Sequence, residues 1–293
     1  MNTALTVLEI VSPVFFLAVI GFAWVKAGWD FRLEFVTRMA MTLSVPCLIF
    51  VALMKADIDP AALRNLSLAA LAAYGAVIVV VSIVVRVAGL TARTYSAPLI
   101  FGNTGNVGLP LALFAYGEIG LSYAVVVFAV MAILSFTFGV WLVSGGGNPF
   151  RALKEPMVWG TMAGALFQWQ GWETPTFLTN TLQLIGQMAI PLMLITLGVA
   201  VARLTPGRVA QAIGLSLLKL VICIAVPWAV GLAFALDRVA FAVLVLQVST
   251  PVAVTSYLLA TKYGADADSV AGLVVVSTLL SVVAMPLLLA VLL

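Results

Sequence analysis

The chain contains no histidine, two cysteines and only 9% charged residues. Without histidine there is no imidazole proton shuttle, no His-ligated metal, and no Ser-His-Asp or Cys-His catalytic set. Cys47 and Cys223 lie inside apolar runs and form neither a CxxC pair nor a disulfide framework, so each reads as a small buried hydrophobe. The net charge is only +3, and Lys and Arg are scattered one or two per loop, which leaves no basic patch for nucleic acid. Soluble domains carry about 25% charged residues and about 45–50% apolar ones. At 64% apolar, this chain of 293 residues is not a water-soluble globule.

What is present is a series of apolar runs of helical length between charged or Gly/Pro-rich breaks. Ten can be drawn, at 5–25, 34–54, 66–90, 97–117, 119–143, 156–171, 176–201, 209–235, 239–261 and 268–292. A span takes about 20 residues, so ten leave no room for a soluble domain. The first run is too long for a signal-peptide core and lacks a basic leader, so it is expected to be retained as a helix. Counting Lys and Arg by side gives Lys26, Arg32, Arg38, Arg86, Arg93, Arg151, Lys154, Arg203, Arg208 and Lys262 against Lys55, Arg64 and Arg238. Short cytoplasmic loops collect these residues. The asymmetry therefore predicts a multi-pass protein of the cytoplasmic membrane with both termini outside the cytoplasm.

This pattern holds two short matches that read either as a duplication or as chance in an apolar chain of few residue types. Pro46 in Ser44-Val45-Pro46-Cys47-Leu48-Ile49 and Pro191 in Ala189-Ile190-Pro191-Leu192-Met193-Leu194 stand 145 positions apart. The pairs Tyr116-Gly117 and Tyr263-Gly264 stand 147 apart. Two near-equal offsets predict a repeated unit of five spans, residues 1–145 and 155–293. Five is odd, so the copies enter the membrane from opposite sides, as in the inverted repeats of secondary transporters. Gly145-Gly146-Gly147 has no GxxxxGK[ST] after it and reads as the join between the halves.

Segments four and nine are interrupted. Segment four contains Phe101-Gly102-Asn103-Thr104-Gly105-Asn106-Val107-Gly108-Leu109-Pro110, in which Pro110 removes an amide donor, the glycines permit unwinding, and Asn103, Thr104 and Asn106 offer polar groups. Segment nine contains Gln247-Val248-Ser249-Thr250-Pro251-Val252-Ala253-Val254-Thr255-Ser256-Tyr257, with hydroxyls on both sides of Pro251. Irregular backbone at membrane depth must be buried in protein or line an aqueous cavity. A half-helix N-terminus suits a carboxylate, whereas freed carbonyls at the opposite end suit a cation. The plainer alternatives are a small-residue packing face in segment four and a simple proline kink in segment nine.

Lys219 lies about ten residues into segment eight, roughly 15 Å deep at 1.5 Å per residue. A charge there must face protein or water, and no acidic residue occupies a comparable central position. It reads either as an attractor for a substrate anion or a conformational latch, or as a structural lysine that never meets substrate.

Gly102-Asn103-Thr104-Gly105-Asn106-Val107-Gly108-Leu109-Pro110-Leu111 resembles the signature of the auxin efflux carrier family, which includes bacterial malonate and malate permease-like members and the plant PIN proteins. Thr250-Pro251-Val252-Ala253-Val254, Ala260-Thr261-Lys262-Tyr263-Gly264, and Lys219-Leu220 followed by Pro227 are similar to that family as well. The resemblance covers essentially the whole chain. It implies an all-α integral membrane protein of ten transmembrane helices in a 5+5 inverted repeat with crossed broken helices, like the bile acid symporter and NhaA folds. It further implies a scaffold of spans 1, 2, 6 and 7, a transport domain of spans 3–5 and 8–10, and elevator-like movement of an organic anion. Asn103, Asn106 and Pro110 match the first crossover, and Thr250 and Pro251 the second. The long central loop of many plant members is missing.

The expected activity is therefore secondary transport of a small organic anion, a dicarboxylate such as malonate or an auxin-like carboxylate, and not an enzymatic one. The alternative is a channel or a substrate-sensing protein on the same scaffold. The expected site is Asn103, Thr104, Gly105, Asn106, Pro110, Ser249, Thr250, Pro251, Thr255 and Lys219, with a sodium site near Asn103, Gln247 and Ser249 left open. No cofactor is called for, and coupling to sodium or protons is undecided. The expected partners are the anion and membrane lipid, with a homodimer through the scaffold helices left open.

Overall fold

The computed structural model describes residues 3–55, 60–146, 156–203 and 208–293, and these are helical apart from short connections and one isolated backbone bridge. Gly147, Arg151 and Lys154, and with them most of the join between the halves, lie outside the described residues. In chain order the helices are α1 (Thr3–Lys26), α2 (Leu33–Met39), α3 (Val45–Met54), α4 (Pro60–Val87), α5 (Ala92–Ile100), α6 (Leu109–Leu134), α7 (Val140–Ser144), α8 (Pro156–Gln170), α9 (Thr176–Gln187), α10 (Ala189–Arg203), α11 (Val209–Ala233), α12 (Arg238–Val248), α13 (Val254–Tyr263) and α14 (Ala267–Leu292). Wider π turns at Ala40–Ser44, Thr104–Gly108 and Ser135–Gly139 join α2 to α3, lead into α6, and join α6 to α7.

Among the described residues seven helical stretches are long and apolar enough to cross a membrane: Val7–Lys26, Leu33–Met54, Ala61–Val87, Thr104–Ser144, Thr176–Arg203, Val209–Ala233 and Ala267–Leu292. The fourth is not straight. Gly117 adopts φ 66°, ψ −155°, which only glycine takes without strain. A Cβ on Gly120 would lie 2.5 Å from the Ala112 carbonyl oxygen, whereas residues eight apart in a straight helix are separated by about 12 Å. The chain therefore turns back at Gly117, where the sequence places the end of segment four.

The helices pack in two groups. In one, α1 lies along α10 while α3 packs on α8 and α9. In the other, α11 packs on α14, α12 and α4, and α6 on α12 and α4. Contacts of α1 with α6 and α14, and of α3 with α6, join the groups. Large apolar side chains point outward, among them Phe16, Phe35, Trp159, Trp169, Phe177, Val221 and Leu287, while much of the interior is Ala, Val and Leu. That arrangement suits lipid, where helices associate through close packing of small residues and not through exclusion of water.

Helices α1 and α10 approach so closely that Cβ atoms on Gly21 and Gly198 would collide with the carbonyl oxygens of Ile195 and Ala18. Gly198→Ala is expected to cost about 1–3 kcal/mol by overpacking, read as a lowered melting temperature of the purified protein. Unchanged melting would show that this pair does not hold the first group together.

Charged side chains gather at the two ends. At one, Arg203 donates to Phe31 O (2.6 Å), Arg93 donates to Val143 O (3.1 Å) and Tyr263 O (2.9 Å), and Arg208 lies 3.8 Å from Asp266. The Ser269 hydroxyl and amide, donating to Asp266 as it caps α14, hold that carboxyl below the usual carboxylate range. At the other end Arg238 donates to Leu293 O, Tyr123 to Asp237 (3.1 Å) and Lys55 to Gln183 (2.9 Å).

Candidate functional site

The two interrupted stretches meet. α5 stops at Phe101, which is extended (φ −97°, ψ 123°), and α12 stops at Ser249. Pro251 has no amide to continue α12, and its ring disfavours helix at the residue before it. The two extended pieces run antiparallel as a minimal bridge between Gly102 and Val252, with Asn103 N–H donating to Pro251 O at 2.7 Å. Other exposed backbone is satisfied locally. Ser249 Oγ donates to Val245 O (2.7 Å), Thr250 Oγ1 donates to Gln247 O (2.8 Å), and Val252 N–H donates to Ser277 Oγ (2.9 Å). Irregular backbone inside a membrane protein requires such satisfaction.

Glycine is needed at two positions because of this contact. A Cβ on Gly102 would collide with Thr250 Oγ1 and lie 2.8 Å from Thr250 O, and one on Gly108 would collide with the Gln247 amide. The small-residue packing expected of segment four is thus present and serves the crossing itself. Four half-helix ends converge there. The C-terminal ends of α5 and α12 carry partial negative charge; the N-terminal ends of the Thr104 turn and of α13 carry partial positive charge.

A cavity of about 80 Å³ lies between the two helix groups. Its crossover side presents Asn103, Gly105, Asn106, Ala253, Val254 and Thr255, the first turns of both converging N-termini. The first amides of a helix have no partner a turn earlier within it; here Val107 N–H donates to Asn103 O and Ser256 N–H to Ala253 O, and Gly105, Asn106 and Thr255 of the same first turns line the cavity. Asn103 Nδ2 and Thr196 Oγ1 are buried and unpartnered. The opposite wall is apolar and adaptable, with Met41, Met157 and Met193 from the first group facing Phe128, Met131 and Phe136. Leu33 and Thr37 extend the cavity toward the end that gathers Arg93, Arg203 and Arg208. No ionisable side chain lines it among the described residues.

A smaller cavity of about 20 Å³ lies within the second group, lined by Ser216 and Lys219 of α11, Ser249, Thr250 and Pro251 of the break, and Ser277 and Ser281 of α14. Lys219 is 3% exposed. Its Nζ donates to Leu99 O at 3.3 Å and lies 3.7 Å from Cys223 Sγ, which is itself buried. Leu99 is in the last turn of α5, where carbonyls lose their helical donors, so the ammonium serves a carbonyl that the break has freed. Cys47, by contrast, is only partly buried.

The ten residues singled out in the sequence thus divide. Asn103, Gly105, Asn106 and Thr255 line the larger cavity, whereas Ser249, Thr250, Pro251 and Lys219 line the smaller one. Thr104 and Pro110 line neither; Thr104 Oγ1 is buried without a partner and Pro110 sits in the first turn of α6. Asn103 and Ser249 face different cavities, and both polar atoms of the Gln247 side chain are buried and unpartnered against Gly108. No group of three or more His, Cys, Asp or Glu able to hold a metal ion occurs among the described residues. Thr37, Ser135, Thr196 and the methionine wall escaped sequence reasoning, because an isolated hydroxyl or methionine in an apolar run carries no signal.

The model of the membrane transport protein family matches the chain over residues 6–152 and 144–289. An uncharacterized transporter of Methanothermobacter thermautotrophicus is 31% identical over 192 residues, 63% of each chain. A Rhizobium meliloti protein bearing the name "Putative malonate transporter" is 26% identical over 196 residues, 62% of this chain and 61% of its own. An uncharacterized transporter of Methanocaldococcus jannaschii is 25% identical over 195 residues, 62% of each. The chain spans 61–63% of the length of these relatives. With the family match running over both halves and the crossing of two broken helices beneath it, the chain belongs to the membrane transport protein family, that of the auxin efflux carriers.

Proposed function

We propose that the protein is a secondary transporter that carries a small organic anion, bound by its carboxylate at the crossover between the two broken helices. The observation that carries this reading is the larger cavity. Two helix N-termini and the free amide nitrogen of Asn103 converge there, and among the described residues no acidic side chain lines the cavity to repel an anion. The methionine and phenylalanine wall suits the remainder of the molecule, and the hydroxyls of Ser135 and Thr196 suit a second polar group. The relative bearing the name "Putative malonate transporter" makes a short dicarboxylate the first cargo to test.

Several observations support a 5+5 inverted repeat of ten spans. Counting the hairpin at Gly117 as two legs and each broken helix as one span gives five before the join and five after it. Corresponding features recur at a steady offset: Pro46 and Pro191, Thr91 and Asp237 at the starts of α5 and α12, and Gly117 and Gly264, both at positive φ. The two helix groups, with the cavity between them, support sliding of the crossover-bearing group against the other as the transport step. The clustering of Arg93, Arg203 and Arg208 at one end supports a cytoplasmic assignment of that end, with both termini opposite. The chemistry of the cavity supports transport over catalysis, since it offers neither a general base nor a nucleophile paired with one.

Counterflow in proteoliposomes tests the reading. Vesicles preloaded with unlabelled malonate or a monocarboxylate are expected to accumulate the labelled anion transiently and saturably. Flux that never saturates would identify a channel, and the absence of exchange with any mono- or dicarboxylate would remove the anion reading. Ligand-dependent stabilisation ranks the cargoes beforehand, because binding to the folded state raises its melting temperature.

A further inference from the structure

We propose that the ammonium of Lys219 is a resident cation, tethered by its own side chain in a pocket whose chemistry is that of a monovalent-cation site, so that the crossover has no place for a free coupling cation. The surroundings carry the inference. Lys219 is fully enclosed, and none of the ion pairs among the described residues involves it. Along α4, α5 and α11, and in the interiors of α12 and α14, there is no acidic residue to neutralise it.

The ammonium itself donates to Leu99 O and touches Cys223 Sγ, and the small cavity beside Lys219 is lined by hydroxyl oxygens with lone pairs to give. Ser249 and Thr250 direct their hydroxyl hydrogens to Val245 O and Gln247 O, and Ser277 and Ser281 direct theirs to Val274 O and Thr278 O. A hydroxyl has one hydrogen and two lone pairs, so Ser249, Thr250 and Ser281 keep acceptor capacity around the small cavity, and Ser277, which already accepts from Val252 N–H, keeps one lone pair. Ser216 Oγ has no partner, and Leu99 O accepts from Nζ at 3.3 Å. The C-terminal ends of α5 and α12, both partly negative, converge beside them. Acceptor oxygens and two negative helix ends without a carboxylate form a neutral, cation-binding shell; the cavity of about 20 Å³ holds about one water-sized occupant, and the ammonium beside it repels a second cation.

Occupancy of the small pocket by Lys219 is independent of the identity of the cargo, and thermal stability reads it without transport. Lys219→Ala removes three carbons and the ammonium. Its melting temperature is expected to fall by several degrees and to be restored, saturably and at millimolar concentration, by n-propylammonium but not by n-propanol. Lys219→Ser, which leaves a further oxygen acceptor, is expected to acquire a saturable rise in melting temperature with sodium or potassium against N-methylglucamine at constant ionic strength. The wild-type protein is expected to show neither response.

Equal rescue by propanol would reduce Lys219 to a volume filler and overturn the proposal. So would the absence of any cation response in both variants. Should neither variant fold, the wild-type titration still decides: a saturable sodium response would show that a free-cation site is open, whereas flat titrations with sodium and potassium support occupancy by Lys219. Transport that fails for every anion while the amine rescue succeeds would sink the cargo reading alone.

Discussion

Gly102→Ala is expected to abolish transport and lower thermal stability together. The new methyl would collide with Thr250 Oγ1 and approach the Thr250 carbonyl to 2.8 Å. The side-chain oxygen can rotate away, but the carbonyl belongs to backbone fixed by Pro251 and by the Asn103 to Pro251 hydrogen bond. The antiparallel pair must therefore separate, which withdraws the partner of a buried N–H. Overpacking costs about 1–3 kcal/mol, and an orphaned buried amide about 1–3 kcal/mol more. Uptake is expected to fall below detection, because the positions of both helix N-termini depend on this bridge. Gly214→Ala is the control. Nothing lies within 4 Å of a Cβ there, and alanine favours helix over glycine by about 0.5–1 kcal/mol, so its melting temperature should hold or rise slightly. A Gly102→Ala protein that melts and transports like wild type would show that the bridge is incidental.

Why the bridge could be anticipated and its surroundings could not is a matter of what breaks a helical period. Glycine, proline and asparagine inside an apolar run advertise lost helix wherever they fall, so the interruptions at Phe101–Asn103 and around Pro251 were legible from composition. Which side of the interruption each polar residue faces was not. Once the period is lost, spacing no longer predicts direction. Ser249 and Thr250 turn their hydroxyls back onto α12, while Thr255, four residues past Pro251, lies in the first turn of α13 and lines the larger cavity. Lys219 shows the same limit. Its place deep in a long apolar helix was readable from position, but its partner depended on where α5 ends, and α5 ends with Leu99 O accepting from its Nζ. The helical class was legible for the simpler reason that a 64% apolar chain must satisfy its backbone internally.

Asn103 separates binding from architecture, and its substitutions give opposite signs for opposite cargoes. Its main-chain N–H holds the bridge, but its Nδ2 has no partner in the protein. Asn103→Ala keeps the backbone bond and removes only the free donor, so melting should be nearly unchanged. A hydrogen bond to a charged group is worth about 1.5–3 kcal/mol, so anion affinity should fall about ten- to hundredfold. Asn103→Asp is sharper. A carboxylate about 4 Å from a bound anion costs about 4 kcal/mol at an effective dielectric near 20, which is roughly a thousandfold in affinity. The same charge beside two helix N-termini is favourable in the empty protein. Asn103→Asp should therefore melt no lower than wild type while losing anion binding, a combination that misfolding does not produce. If Asn103→Asp instead bound its cargo more tightly, the cargo would be a cation, and the two N-termini at the cavity would have to be satisfied by the protein or by water.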